Sequence, residues 1–188
     1  GAPLVHERYA RNINTHVSHE FGDVEAAFAA SAHVREEVFT GNFVYQCPME
    51  PQAAIAHREH DGTLVLHTST QAPHYVQYMM AHIFHMSLGS IRVVRPCVGG
   101  GFGVKAATNP LDVCAAVLAR KLGRPVKIVF SREEMFLYYR GRHKQHMRFK
   151  LGLDGEGRIT AFVSEIHLDG GAYSSFGVAT AYYAGSMI

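Results

Sequence analysis

Between Gly99 and Pro110 the chain carries two local instructions that together leave few folds open. Gly99-Gly100-Gly101-Phe102-Gly103 sets four glycines around one aromatic residue, so the backbone can turn through left-handed conformations and expose N–H groups that side chains would shield. Asn109-Pro110 then reads as the N-cap and first residue of a helix, with Asp112 in its first turn and Gly123 as its stop. A strand is expected over residues 91–95, ahead of the glycines. The chain therefore passes from strand to helix through an open loop. Such a loop lets an anionic or bulky ligand approach the main chain; a tight turn that glycine merely permits is the plainer alternative.

The loop does not fit a Walker A motif, because Gly103 is followed by Val104 and Lys105 rather than by Lys and then Ser or Thr. Gly101-x-Gly103-x-x-Ala106 matches a dinucleotide fingerprint on paper. That fingerprint opens a helix directly, so that the helix N-terminus faces the pyrophosphate. Pro110 would then lie inside the helix and break it, and Pro96 separates strand from loop. A helix starting at Gly103 instead of Asn109 would restore the nicotinamide-binding alternative.

With 188 residues, 47% hydrophobic and 18% charged, the chain can bury a core. Its 18 basic and 16 acidic residues leave a net charge of +2, which gives no support for nucleic-acid binding. One basic cluster, Arg140, Arg142, His143, Lys144, His146 and Arg148, is either a solvated strand entry or a place for an anionic substrate. Cys47, Cys97 and Cys114 form no C-x-x-C pair, which argues against a structural zinc site or an iron–sulfur cluster in this chain. Free thiols suit a reducing cytoplasm. No apolar run reaches the roughly 18–20 residues of a membrane span, and no signal-peptide pattern opens the chain. A cytoplasmic protein without membrane contact is expected. Of 13 histidines, only the i, i+3 pair His82/His85 falls in an expected helix, and no third ligand accompanies it. No direct protein ligand to a metal is expected.

Along the chain, residues 24–30 read as a short helix and residues 33–40 as a strand. An irregular segment around Pro48 and Pro51 follows. Residues 53–59 and 63–69 form a hairpin across His60-Asp61-Gly62. A helix from Pro73 to about His85 should bury Val76, Met79, Met80 and Ile83, with Gly89 closing it. Val126 to Phe130 reads as a strand, and Ser131-Arg132-Glu133-Glu134 as a capping box opening a short helix. Residues 145–153 and 158–169 form a long hairpin across residues 154–157. The fold class is α+β: mixed β-hairpins covered by helices.

As a whole the segment resembles the large, molybdopterin-binding subunit of the xanthine oxidase family of molybdenum hydroxylases. Val98 to Gly103 looks like that family's loop beside the molybdenum cofactor. Met49-Glu50-Pro51-Gln52-Ala53 resembles its E-P motif, and Ser69-Thr70-Gln71 its S-T-Q segment. Ser131 to Glu134, Arg140-Gly141-Arg142 and Asp169-Gly170-Gly171-Ala172-Tyr173 match later segments in the family's order. Within the family the nearest likeness is to the 4-hydroxybenzoyl-CoA reductase large subunit, through Arg140-Gly141-Arg142 and the aromatic tail from Phe176 to Tyr183. Purine-oxidising members continue the glycine loop with a lysine and a glutamate. Lys105 is followed here by Ala106, which argues against a xanthine-type enzyme.

The resemblance implies a partial molybdopterin-binding domain over residues 33–188, with residues 1–32 as the tail of a preceding domain or linker. It places Gln71, Gly100, Gly101, Phe102 and Gly103 at the cofactor. The Gln71 amide would bond an oxygen ligand of molybdenum, and the Phe102 and Gly103 N–H groups would face the metal oxygens or the pterin. Phe102 could equally anchor the loop in the core. Arg142, and with it Arg140, falls on the substrate side; Glu50 reads as structural. The cofactor would be molybdopterin in its cytosine dinucleotide form, with iron–sulfur clusters and FAD on partner subunits or domains. The expected activity is a molybdenum-dependent oxidoreductase acting on an aromatic or heteroaromatic small molecule, an aroyl-CoA among the candidates. A xanthine/aldehyde dehydrogenase-type lobe and a non-catalytic cofactor-binding or assembly module are the alternatives. Family large subunits are several times longer and carry a later base glutamate that is not found here, so the chain is expected to be a fragment, partnered by the remainder of the large subunit and inactive alone.

Overall fold

The computed structural model describes residues 2–173 and 176–186; Met187 and Ile188 at the chain's end lie outside them. By contacts the chain divides into residues 45–141 and a discontinuous unit of residues 1–44 with 142–188. The expected boundary at residue 32 falls within the second of these.

In the 45–141 unit, strands β2 (Ala53–Arg58) and β3 (Leu64–Thr68) form the expected antiparallel hairpin. Gly62 turns it at φ +89°, and the Asp61 carboxylate accepts the Thr63 N–H at 2.9 Å. Helix α2 (Pro73–Phe84) then crosses over to β4 (Ile91–Val94), which lies parallel to β3. Helix α3 (Pro110–Leu122) leads to β5 (Val126–Val129), antiparallel to β2, so the sheet order is β4-β3-β2-β5. One core joins Ala54, Ala56, Leu64 and Leu66 of the sheet to Val76 and Met80 of α2 and to Leu111, Ala115, Ala116 and Ala119 of α3. The alanines on both sides let α3 approach β2 closely. Helix α4 (Arg132–Tyr138) buries Met135 against Val104 and Tyr139.

Two expectations for α2 need correction. Ile83 is 41% exposed and Met79 only half-buried, while Ala81 is buried. The buried stripe is rotated toward Val76, Met80 and Phe84, because Gln77 occupies that side and donates from Nε2 to the carbonyls of Leu88 and Ile91. Gly89 does not close the helix. His85 does so in the left-handed conformation (φ 52°), and the Met86 N–H returns to the Ala81 carbonyl. The other boundaries follow their local signals. Helix α3 starts at Pro110, with the Asp112 carboxylate accepting the Asn109 N–H at 2.9 Å. Ser131 and Glu134 cap α4 reciprocally. With α3 beginning there and not at Gly103, the nicotinamide-binding alternative falls.

The discontinuous unit is an antiparallel sheet in the order β1-β6-β7, formed by β1 (His33–Gly41), β6 (Lys144–Leu153) and β7 (Ile159–Asp169). Strand β1 pairs with β6 from His33↔Leu153 to Gly41↔Gln145. Helix α1 (Val24–Ala30) is capped by Asp23, and Ser31, which follows it, leaves no room for a side chain at Gly152. Helix α5 (Gly177–Ser186) follows β7. Among the described residues no helix is long and apolar enough to cross a membrane.

Candidate functional site

The glycine loop leaves β4 and runs into α3 under tight control of its backbone. Gly100 (φ +97°), Phe102 (φ +51°) and Gly103 (φ +88°) adopt left-handed conformations. At Phe102, a residue with a Cβ, that conformation is strained and marks the loop as held for a purpose. Gly99 and Gly101 are required for space. A Cβ at Gly99 would lie 2.7 Å from that of Glu50, and one at Gly101 would lie 2.7 Å from Gln71 Cγ. Phe102 is 69% exposed and does not anchor the loop in the core.

Gln71 closes one side. Its N–H donates to the Lys105 carbonyl at 2.8 Å, and its Oε1 accepts the Gly103 N–H at 3.0 Å. Because Gly103 offers a donor, the amide atom facing it is the oxygen. Nε2 is left without an acceptor among the described residues. So are the backbone N–H groups of Gly100, Gly101 and Phe102. The Gly103 N–H, expected to face the cofactor, is thus taken by Gln71, and the open donors are the three before it. Successive unpaired N–H groups in a left-handed loop form a concavity for anionic oxygen.

Beneath the loop, Glu50 accepts four hydrogen bonds from three donors. Its Oε2 accepts from Lys105 Nζ at 2.7 Å and from the Gly99 N–H at 2.8 Å. Its Oε1 accepts from Ser69 Oγ at 2.9 Å, and its carbonyl accepts from Lys105 Nζ at 3.0 Å. Burial pushes the Glu50 carboxyl up, but hydrogen bonds from Lys105, Gly99 and Ser69 together outweigh it and hold its pKa below the ordinary 4.5. Lys105 is fully enclosed. In the sequence Lys105 counts only against a Walker motif and, followed by Ala106, against a xanthine-type enzyme; the signal for its role here is a lone lysine within Val104-Lys105-Ala106-Ala107.

A second polar chain lies under α3. Tyr139 O–H donates to Gln52 Oε1 (3.0 Å), Gln52 Nε2 to Thr68 Oγ1 (3.1 Å), and Thr68 O–H to Asp112 Oδ1 (2.6 Å). Burial raises the Asp112 pKa above 3.8 in spite of the hydrogen bonds from Thr68, Asn109 and Gln52. It likewise raises that of Tyr139.

Gln71, Gly100, Gly101, Phe102 and Gly103 therefore come together. Arg140 is in the same unit, half-buried after α4, where burial lowers its pKa and the Tyr139 and Tyr75 phenols partly restore it. Arg142 belongs to the discontinuous unit, where its N–H donates to the Val44 carbonyl at 2.7 Å. Among the described residues no three His, Cys, Asp or Glu side chains converge on a metal position.

Residues 5–188 match the family described as molybdopterin cofactor-binding domain. The nicotinate dehydrogenase large molybdopterin subunit of Eubacterium barkeri is 34% identical over 180 residues, 95% of this chain and 41% of that protein. Among solved structures, the aldehyde oxidoreductase from Desulfovibrio gigas is similar with a TM-score of 0.79 at 27% identity, covering 84% of this chain and 17% of that one. The quinoline 2-oxidoreductase from Pseudomonas putida 86 gives 0.75 at 38% identity, covering 80% and 19%. The chain spans less than half the length of the curated relative and less than a fifth of each solved chain.

Proposed function

This chain belongs to the molybdopterin cofactor-binding domain family of xanthine oxidase-type molybdenum oxidoreductases, and from that premise we propose that its glycine loop and Gln71 form one wall of the molybdopterin site. The observation that carries this is a set of open donors: the N–H groups of Gly100, Gly101 and Phe102 and the Gln71 amide nitrogen have no acceptor among the described residues, and Gln71 is tied to the same loop through Gly103. Those donors suit the anionic oxygens of the cofactor. When bound, the cofactor supplies two-electron redox chemistry and moves an oxygen atom between water and substrate. The chain's own residues bind and orient it. Gln71 Nε2 and the loop N–H groups donate to its oxygens, and Glu50 and Lys105 hold the loop from below.

The substrate class is an aromatic or heteroaromatic small molecule, oxidised by hydroxylation. Nicotinate and quinoline, the substrates printed in the names of two relatives at 34% and 38% identity, are both nitrogen heteroaromatics. They favour that direction over reductive removal of a hydroxyl from an aroyl-CoA. Arg140 and Arg142 are the substrate-side candidates. Cytosine dinucleotide is the cofactor form assigned, with iron–sulfur and flavin partners to carry electrons away. The three free thiols, Cys47, Cys97 and Cys114, suit a cytoplasmic location. The test is turnover by the protein copurified with its partner subunits, using quinoline, nicotinate and an aromatic aldehyde in ¹⁸O-labelled water. Labelled hydroxylated product from a ring substrate is expected. Molybdenum-loaded protein that labels none of them would contradict the assignment.

A further inference from the structure

The loop's own backbone hydrogen bonds, Val104 N–H to the Gly101 carbonyl at 3.0 Å and Ala106 N–H to the Gly103 carbonyl at 3.2 Å, turn its exit and leave its entry at Gly99 to be fixed from outside. In this chain the fixing group is a buried ammonium. Lys105 has 0% side-chain exposure, and Nζ donates to both the carboxylate and the carbonyl of Glu50. The Lys105 carbonyl accepts from the Gln71 N–H (2.8 Å) and from Thr70 Oγ1 (3.2 Å). Glu50 in turn pairs twice with Gly99, accepting its N–H on Oε2 at 2.8 Å and donating its own N–H to the Gly99 carbonyl at 3.1 Å. One ion pair is thereby tied to the residue that opens the loop, to the residue two positions beyond its last glycine, and to the turn that carries Gln71.

We propose that Lys105 and Glu50 act as a positioning pair, which clamps both ends of the glycine loop and so holds the open N–H donors and the Gln71 amide in one register toward the cofactor. This rests on the function proposed above. A buried lysine is costly unless paired, and an apolar residue of similar volume would give comparable packing without that cost. What the pair adds over such a residue is direction. The carboxylate takes the Gly99 N–H at the loop's entry, and the ammonium, carried by Lys105 at the loop's exit, reaches the Glu50 carboxylate and carbonyl. The charged group facing Glu50 is Lys105; Arg132 of α4 holds the two residues before it, its Nη2 donating to the Pro48 and Met49 carbonyls at 2.8 Å each.

The experiment is residue-resolved amide hydrogen exchange on the full 188-residue chain, comparing the wild type with Glu50→Gln, Glu50→Asp and Lys105→Met. In Glu50→Gln and Lys105→Met, protection at Gly99 and Gly103 should fall roughly tenfold, the equivalent of one hydrogen bond, while Leu66 in β3 and Ala116 in α3 keep theirs. Glu50→Asp should restore part of the protection. In the wild type, the Gly99 and Gly103 amide shifts should follow one acid transition below pH 4.5 that is absent from Glu50→Gln. Protection that is unchanged, or that falls equally at Leu66 and Ala116, would overturn the proposal. If Lys105→Met does not fold, the two Glu50 variants decide the matter alone. Molybdenum and pterin content separates this inference from the function it rests on. A wild type that holds no cofactor when copurified with its partner subunits, yet shows the exchange pattern, refutes the function and leaves the clamp standing. Variants with a loosened loop that retain as much cofactor as the wild type refute the positioning role.

Discussion

Glu50 and Asp112 are both carboxylates set into the same unit, and they are held in opposite ways. Glu50 faces a buried cation, a hydroxyl and a backbone N–H, and its charge is stabilised. Asp112 is fully enclosed and receives only neutral donors from Thr68, Asn109 and Gln52, and its charge is disfavoured. The difference teaches that the state of a carboxylate follows from burial set against its donors: Glu50 keeps 30% of its side chain exposed and has a cation among its donors, whereas Asp112 is fully enclosed among neutral ones. It also separates two tasks. The Glu50 pair ties down a loop with open donors, whereas the Asp112 chain caps α3 and joins it to β3 and α4.

Breaking the ion pair should have the largest effect. Lys105→Met takes an enclosed cation from a carboxylate whose side chain is 30% exposed and should cost about 2–3 kcal/mol in urea unfolding, with most of that recovered by adding Glu50→Gln. Asp112→Ala should cost about 2 kcal/mol, because it removes a cap and orphans the Thr68 hydroxyl and the Asn109 N–H. Gly101→Ala should cost about 1–2 kcal/mol by pressing on the Gln71 side chain. A Gln71→Ala background should relieve that cost, as a double-mutant cycle would measure.

The pH dependence sharpens the comparison, since the two carboxylates should give opposite slopes. Glu50 has a lowered folded pKa, so its stabilisation is present above 4.5 and lost as pH falls through its folded value. Asp112 has a raised one, so its contribution is full below 3.8 and lost as pH rises through its folded value. The stability advantage of the wild type over Glu50→Gln should therefore shrink on acidification, and the wild type should lose stability relative to Asp112→Asn as the pH is raised. Phe102→Ala should have the smallest effect on stability, under about 0.5 kcal/mol, as suits an exposed side chain.

What could be seen in the sequence was local. Asn109-Pro110 with Asp112, Ser131 with Glu134, and Asp61-Gly62 each satisfy backbone groups within a few residues, so their helices and hairpin follow directly from residue type. The end of α2 was less visible, because His85 took the left-handed position usually given to glycine and Gln77 turned the buried face away from Ile83. Of the site, the glycine loop and Gln71 were visible as motifs. That Gln71 Oε1 binds Gly103 was not, and neither was the Lys105–Glu50 pair, which joins positions 55 residues apart. The partition of the chain was equally hidden, since β1 meets β6 across the whole 45–141 unit.

The central claim is that the loop and Gln71 hold a molybdopterin cofactor. Its most direct measurement is the molybdenum and pterin content of the protein, copurified with its partner subunits from a host that makes the cofactor, for the wild type and for Gly101→Val, whose side chain would displace the Gln71 amide. Molybdenum and pterin in equal amounts in the wild type, and a loss of both in Gly101→Val with the fold retained by circular dichroism, are the predicted result. A wild type without either, or a folded Gly101→Val that keeps both in full, would contradict it.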